Sequence, residues 1–154
     1  MAKIIIENIE DFLRLSGVKL GESNWTLVDQ TMINRFADAS RDRQWIHVDT
    51  ERAQNESPYR STIAHGYLTL SLIPSFLDEI INVKNLKQLV NYSIEKMVFN
   101  AVVPVNCKLR MVAQLKSAKD LGNICMAKIH CTFQVEGLDE PVAEGTIVFL
   151  YYFN

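Results

Sequence analysis

The chain has 154 residues, 48% of them hydrophobic and 22% charged, a balance that folds around a core without disulfides or metal and excludes a disordered chain. The formal net charge is −2 and the lysines and arginines are scattered, so there is no electrostatic footprint for nucleic acid or for a membrane surface. Length predicts a single domain over residues 1–154.

The first residues, "MAKIIIENIEDF", place only three isoleucines together before acidic residues intervene. That run is too short for a secretory or membrane-spanning segment and predicts a cytoplasmic protein. Residues 8–15 read as a short helix stopped by Ser16-Gly17, and residues 24–28 as a short strand. In "DQTMINRFADAS", Met32, Ile33, Phe36 and Ala37 form a helical stripe with Asp29 or Thr31 as the N-cap. Asp49-Thr50-Glu51-Arg52 reads as the next N-cap and first turn, closed by Pro58. From His65 to Ile81, "HGYLTLSLIPSFLDEII" is apolar on nearly every side until Asp78 and predicts a long buried helix kinked at Pro74.

The second half changes period. Residues 92–105, 107–118, 123–137 and 141–154 are rich in Val, Ile, Phe and Tyr and are separated by Asn, Asp and Gly turn residues, the pattern of an antiparallel meander. A sheet curled around one buried helix is an α+β arrangement. Cys107, Cys125 and Cys131 are odd in number and lack C-x2-C spacing, so they read as reduced structural thiols. His130 precedes Cys131, but neighbours on a strand point to opposite faces and cannot form a dyad.

The chemistry concentrates in "DRQWIHVD", residues 42–49. Asp42 and His47 are five residues apart, an offset of about 7.5 Å of rise and roughly 140° of rotation on a helix, or about 16 Å on a strand. They converge on one small substrate only if residues 43–46 turn. A carboxylate and an imidazole brought together hold a water and move its protons near neutral pH. Gly66 stands at the start of the buried helix, where free N–H groups and an absent side chain let a ligand carbonyl approach. Each piece also has an ordinary structural reading. Taken alone, His47 reads more readily as a loop histidine bonded to a carboxylate than as a base, Asp49 as a helix cap, His65 as a residue shaping the helix start, and Trp25 and Trp45 as core or wall. Asp42, His47, Asp49 and His65 match no common metal spacing, so no metal and no cofactor is expected.

The combination of "FADASRDRQWIHVD" with "STIAHGYLTLSLIP" resembles the MaoC-like dehydratase family, which includes the (R)-specific enoyl-CoA hydratases. It is closer still to the branch named after nodulation protein N, where the loop tryptophan is usual. The resemblance implies a hot dog fold, a curved antiparallel sheet wrapped around the helix at 65–81, and a homodimer joining two sheets edge to edge. It implies that Asp42 and His47 bind the water added across a 2-enoyl thioester, carried by CoA or acyl carrier protein. The Gly66 N–H would then bond the thioester carbonyl, and Trp45, Ala64, His65 and Tyr67 would line the substrate pocket. Gln44-Trp45 replaces an Asn-Pro found in many family hydratases, which points to Trp45 as a determinant of acyl-chain selectivity. The alternatives are a hot dog thioesterase, directing water at the carbonyl, and a non-catalytic acyl-thioester binding protein.

Overall fold

The computed structural model describes residues 2–154. A short strand β1 (Ile4–Ile6) precedes helix α1 (Ile9–Arg14), whose first turn is capped by Asn8 Oδ1 accepting the Asp11 N–H. Strands β2 (Lys19–Glu22) and β3 (Thr26–Val28) lead into α2 (Gln30–Ser40). Asp29 is the α2 N-cap, taking the Met32 N–H at 2.8 Å. The short helices α3 (Trp45–Val48) and α4 (Thr50–Glu56) follow, and Asp49 caps α4 by accepting from the Arg52 N–H at 3.0 Å.

The predicted helix at 65–81 is two helices, α5 (Gly66–Ser71) and α6 (Ile73–Ile80), joined at Leu72. Pro74 lies in the first turn of α6, where its missing N–H costs nothing and its ring forbids a continuous ladder from α5. Leu68, Thr69, Ile73, Phe76, Leu77 and Ile80 form the buried face, while Tyr67, Ser71, Pro74, Ser75 and Asp78 are exposed. Burial is therefore one-sided rather than complete. A sheet can cover only one side of a helix, and the apolar sequence does not reveal which side that is.

Strand β4 (Ile81–Val83) runs parallel to β1, a pairing of Ile4 with Ile81 that the sequence did not announce. The main sheet is antiparallel, ordered β2-β6-β7-β8-β5, with β5 (Leu86–Phe99), β6 (Cys107–Asp120), β7 (Ile124–Val135) and β8 (Ala143–Phe153), and β3 also paired to β6. Alternate residues of β7, from Cys125 through Ile129 to Val135, point into the core, as a period of two requires. Helices α1 and α6 pack on this inner face against β6, and their aromatic rings reach the neighbouring strands, Phe76 meeting Phe133 on β7 and Phe12 meeting Tyr151 on β8. Cys131 is wholly buried while its neighbour His130 turns the other way toward Thr146, and burial pushes the Cys125 and Cys131 thiols up to about 12. Register shifts bend β5 at three places along its pairing with β8. This strand forms an edge of the sheet and is exposed along nearly its whole length, Leu89, Val90, Tyr92 and Ile94 included.

Candidate active site

The convergence that the Asp42 and His47 spacing demanded is built by a reversal at the end of α2. Arg41 caps the helix in the left-handed region, at φ 63°, and turns the chain back on itself. The Asp42 N–H then meets Ser40 Oγ at 3.3 Å, and an Asp42 carboxylate oxygen takes the Gln44 N–H at 3.4 Å. Helix α3 begins one residue later and swings His47 inward, where it is almost fully buried. A carboxylate oxygen of Asp42 and one ring nitrogen each of His47 and His65 lie within 4.8 Å of one another.

The His47 ring is fixed through Nδ1, which lies 2.7 Å from the Ile63 carbonyl oxygen. A carbonyl only accepts, so Nδ1 carries the proton and Nε2 presents a lone pair. Burial is the main cause that depresses the His47 pKa, the His65 imidazole adds to it, and the Ile63 carbonyl and the Asp42 carboxylate oppose it. The segment carrying Ile63 is itself held, since the Ile63 N–H donates to the Ile46 carbonyl and the Ala64 N–H to the Val103 carbonyl. Gln30, at the first position of α2, ties the two sides together. Its amide donates to the His47 carbonyl at 2.7 Å and accepts the Thr62 hydroxyl at 2.5 Å.

His65 is buried between Phe36, with centroids 4.9 Å apart, and His47, on which it stacks at 3.8 Å and 23°. Its Nε2 lies 2.8 Å from the Asp42 carbonyl oxygen. The stack bears on metal binding. Imidazole lone pairs lie in the ring plane, and two nearly parallel rings aim them along separate planes rather than at one point about 2 Å from each. The three side chains are close enough for an ion, but the two stacked rings are not aimed at one.

Two cavities meet at His47, Gly66 and Phe99. The outer one, about 210 Å3, is also bordered by Asp42, His65 and Tyr67. The inner one, about 140 Å3, runs past Ala64, Thr69, Val103 and Ala143. A larger apolar cavity of about 400 Å3 lies farther along the same helices, between Ile73 and Pro74 on one side and Tyr92, Ile94 and Phe149 on the other. Of the sequence-predicted residues, Asp42, His47, Gly66, Ala64, His65 and Tyr67 thus border the two cavities at His47. Trp45 does not. Its ring lies under the Arg52 guanidinium, 4.3 Å from the centroid, facing α4. Trp25 is likewise a plate under Arg110. Gln30, Thr62, Thr69 and Phe99 went unseen in the sequence. Only Thr69 carried a signal, a lone hydroxyl three residues after Gly66 on an apolar helix face.

The MaoC like domain family matches residues 11–132, which span the site and most of the sheet. The chain belongs to the MaoC-like dehydratase family. Hydro-lyase chemistry, the gain or loss of water, comes with that membership. This MaoC-like protein is 41% identical to 3-hydroxyacyl-thioester dehydratase Z of Mycobacterium tuberculosis over 144 residues, covering 92% of this chain and 95% of that one. It is 31% identical to nodulation protein N of Rhizobium meliloti, over 96% of this chain and 92% of that one. The hot dog fold is shared with the unliganded R-hydratase of Pseudomonas aeruginosa, at a TM-score of 0.73 and 18% identity, over 90% of this chain and 83% of that one. No helix among the described residues is long and apolar enough to cross a membrane.

Proposed function

We propose that this MaoC-like protein is an (R)-specific hydratase and dehydratase that adds water reversibly across the double bond of a 2-enoyl thioester, with CoA as the carrier. The observation that carries the reading is the free Nε2 of His47 beside the Asp42 carboxylate, at a cavity that also borders Gly66. Water held between Asp42 and His47 gives up a proton to Nε2 as its oxygen bonds to C3. Negative charge moves through C2 to the thioester oxygen, where the Gly66 N–H receives it. The proton returns to C2 through the Asp42 and His47 pair, so atoms and charge balance over the cycle. The burial that keeps His47 unprotonated near neutral pH suits it to the base role. The acyl chain enters beside α5, past Ala64 and Phe99.

The same reading makes the whole chain one domain and the protein a cytoplasmic homodimer. The free cysteines suit a reducing compartment, and the long exposed edge of β5 suits pairing with a second copy. Incubation with crotonyl-CoA tests the reaction. Loss of enoyl absorbance without free thiol supports hydration, free thiol indicates a thioesterase, and binding without turnover indicates an acyl-thioester binding protein.

A further inference from the structure

We propose that His65 is a positioning residue that holds Asp42 in register with His47, an inference that rests on the hydration reading above. The loop carrying Asp42 has little else to fix it. The Asp42 N–H and carboxylate contacts within the loop are long, at 3.3 and 3.4 Å. The ion pair of Arg43 with Asp38 is solvent-exposed on both sides and holds the loop weakly. The 2.8 Å bond from His65 Nε2–H to the Asp42 carbonyl comes from 23 residues away, and among the described residues it is the short contact that ties Asp42 to the rest of the fold.

The ring that makes this bond cannot move. Phe36 packs against it at a tilt, His47 stacks on it, and His65 is 2% exposed. Its backbone is equally fixed, because the Leu68 and Thr69 N–H groups both donate to the His65 carbonyl at the start of α5. His65 therefore transmits the position of Gly66, its chain neighbour, to Asp42, and through the stack to His47. Three groups of the reaction are registered by one side chain.

A second observation separates this role from packing. The His65 Nδ1 is buried and has no hydrogen-bond partner. A buried polar atom without a partner is destabilising, and phenylalanine would fill the same slot between Phe36 and His47 without it. What the imidazole adds over an apolar ring is the one Nε2–H bond to the Asp42 carbonyl.

The test compares His65→Phe, which keeps the plate and removes the donor, with His65→Gln, whose amide N–H reaches about as far as Nε2. His65→Met is a second variant without a donor should the Phe protein fail to fold. With crotonyl-CoA, kcat should fall about tenfold to a hundredfold in the Phe or Met variant, the scale of a small misplacement of reacting groups, with KM little changed. Gln should recover most of the loss. In an Asp42→Ala background the donor-less substitution should cost nothing further, because its effect passes through Asp42. Independently of activity, 15N relaxation should show the order parameters of residues 42–44 falling from about 0.85 toward 0.6 in the donor-less variant and recovering in Gln. Wild-type kcat with an unchanged loop, equal losses in Phe and Gln, or additive losses in the Asp42→Ala background would each overturn the proposal. A wild-type protein inert toward crotonyl-CoA would remove the hydration reading, and the order parameters would still decide whether His65 pins the loop.

Discussion

The ring of Phe99 occupies the space that a side chain on Gly66 would need: a Cβ there would lie 3.1–3.2 Å from three ring carbons. The Gly66 backbone does not demand glycine, since it has ordinary helical geometry at the start of α5. Closeness to Phe99, and to a substrate carbonyl in the proposed reaction, demands it. Gly66→Ala is therefore expected to fold normally and to lower kcat/KM for crotonyl-CoA by about tenfold to a hundredfold. Adding Phe99→Leu should give back part of that loss by clearing room for the methyl group. A single variant with wild-type kinetics would detach Gly66 from the carbonyl.

The Asp42 and His47 pair is expected to matter far more to the reaction than to the formation of the fold. Asp42→Asn and His47→Gln, both near-isosteric, should lower kcat by roughly 10² or more while the circular dichroism spectrum stays unchanged. Effects should be non-additive in the double variant, because one water is shared. Turnover near wild type in both single variants would end the assignment.

His47 also sets a pH dependence of stability. Burial lowers its folded pKa below the ordinary value of about 6.5. Between those two values the unfolded chain binds a proton that the folded chain does not, so stability rises with pH across that window. The contribution is complete above about pH 6.5 and is lost as pH falls toward the folded pKa. Melting temperatures measured from pH 7.5 down to 5 should therefore drop less steeply in His47→Gln than in wild type. Parallel curves would mean that His47 is not the group responsible.

What the sequence disclosed and what it withheld follow from where the information lies. Asp42, His47 and Gly66 stood out because their combined motif resembles the MaoC-like family, and the fold brings all three to one cavity. Asp29 and Asp49 were legible as caps because capping is local. The partners that hold the site were not. The Ile63 and Asp42 carbonyls belong to the backbone and carry no residue identity, and Gln30 looks like any polar residue in a first helical turn. Strands β1 and β4 are three residues each, too short for a period to show, and pair across half the chain. The burial of α5 and α6 was overread because apolar residues such as Leu70 and Leu72, only half-buried, flank the inward face.

The exposed edge strand predicts self-association. β5 carries Tyr92, 60% exposed, and Ile94, 53% exposed, on a fourteen-residue edge whose outer backbone groups β8 does not use. Long apolar edges are stable when paired. Sedimentation at micromolar concentration should give a dimer, and Ile94→Lys should shift it toward monomer. A wild-type monomer would count against edge pairing.

Trp45 offers the last test, because its place in the fold favours one of two outcomes. It lies two residues before His47, which makes it a natural candidate for a selector of acyl chains. Its ring nevertheless faces Arg52 on α4, at 4.3 Å, and it borders neither cavity that reaches His47. A cation over an indole face contributes about 0.5–1 kcal/mol at a partly exposed site, and the indole also buries apolar area between α3 and α4. Removing it should loosen the short helix that carries His47 without widening the substrate path. Trp45→Ala is therefore expected to lower the melting temperature and to reduce kcat/KM by a similar factor for every chain from C4 to C10 enoyl-CoA. A pocket wall would behave differently. Each added methylene that fits new room is worth about 1–3 kcal/mol, so a selector would shift the long-to-short preference tenfold or more. Such a shift at unchanged melting temperature would place the indole beside the acyl chain and overturn the reading of Trp45 as a strut.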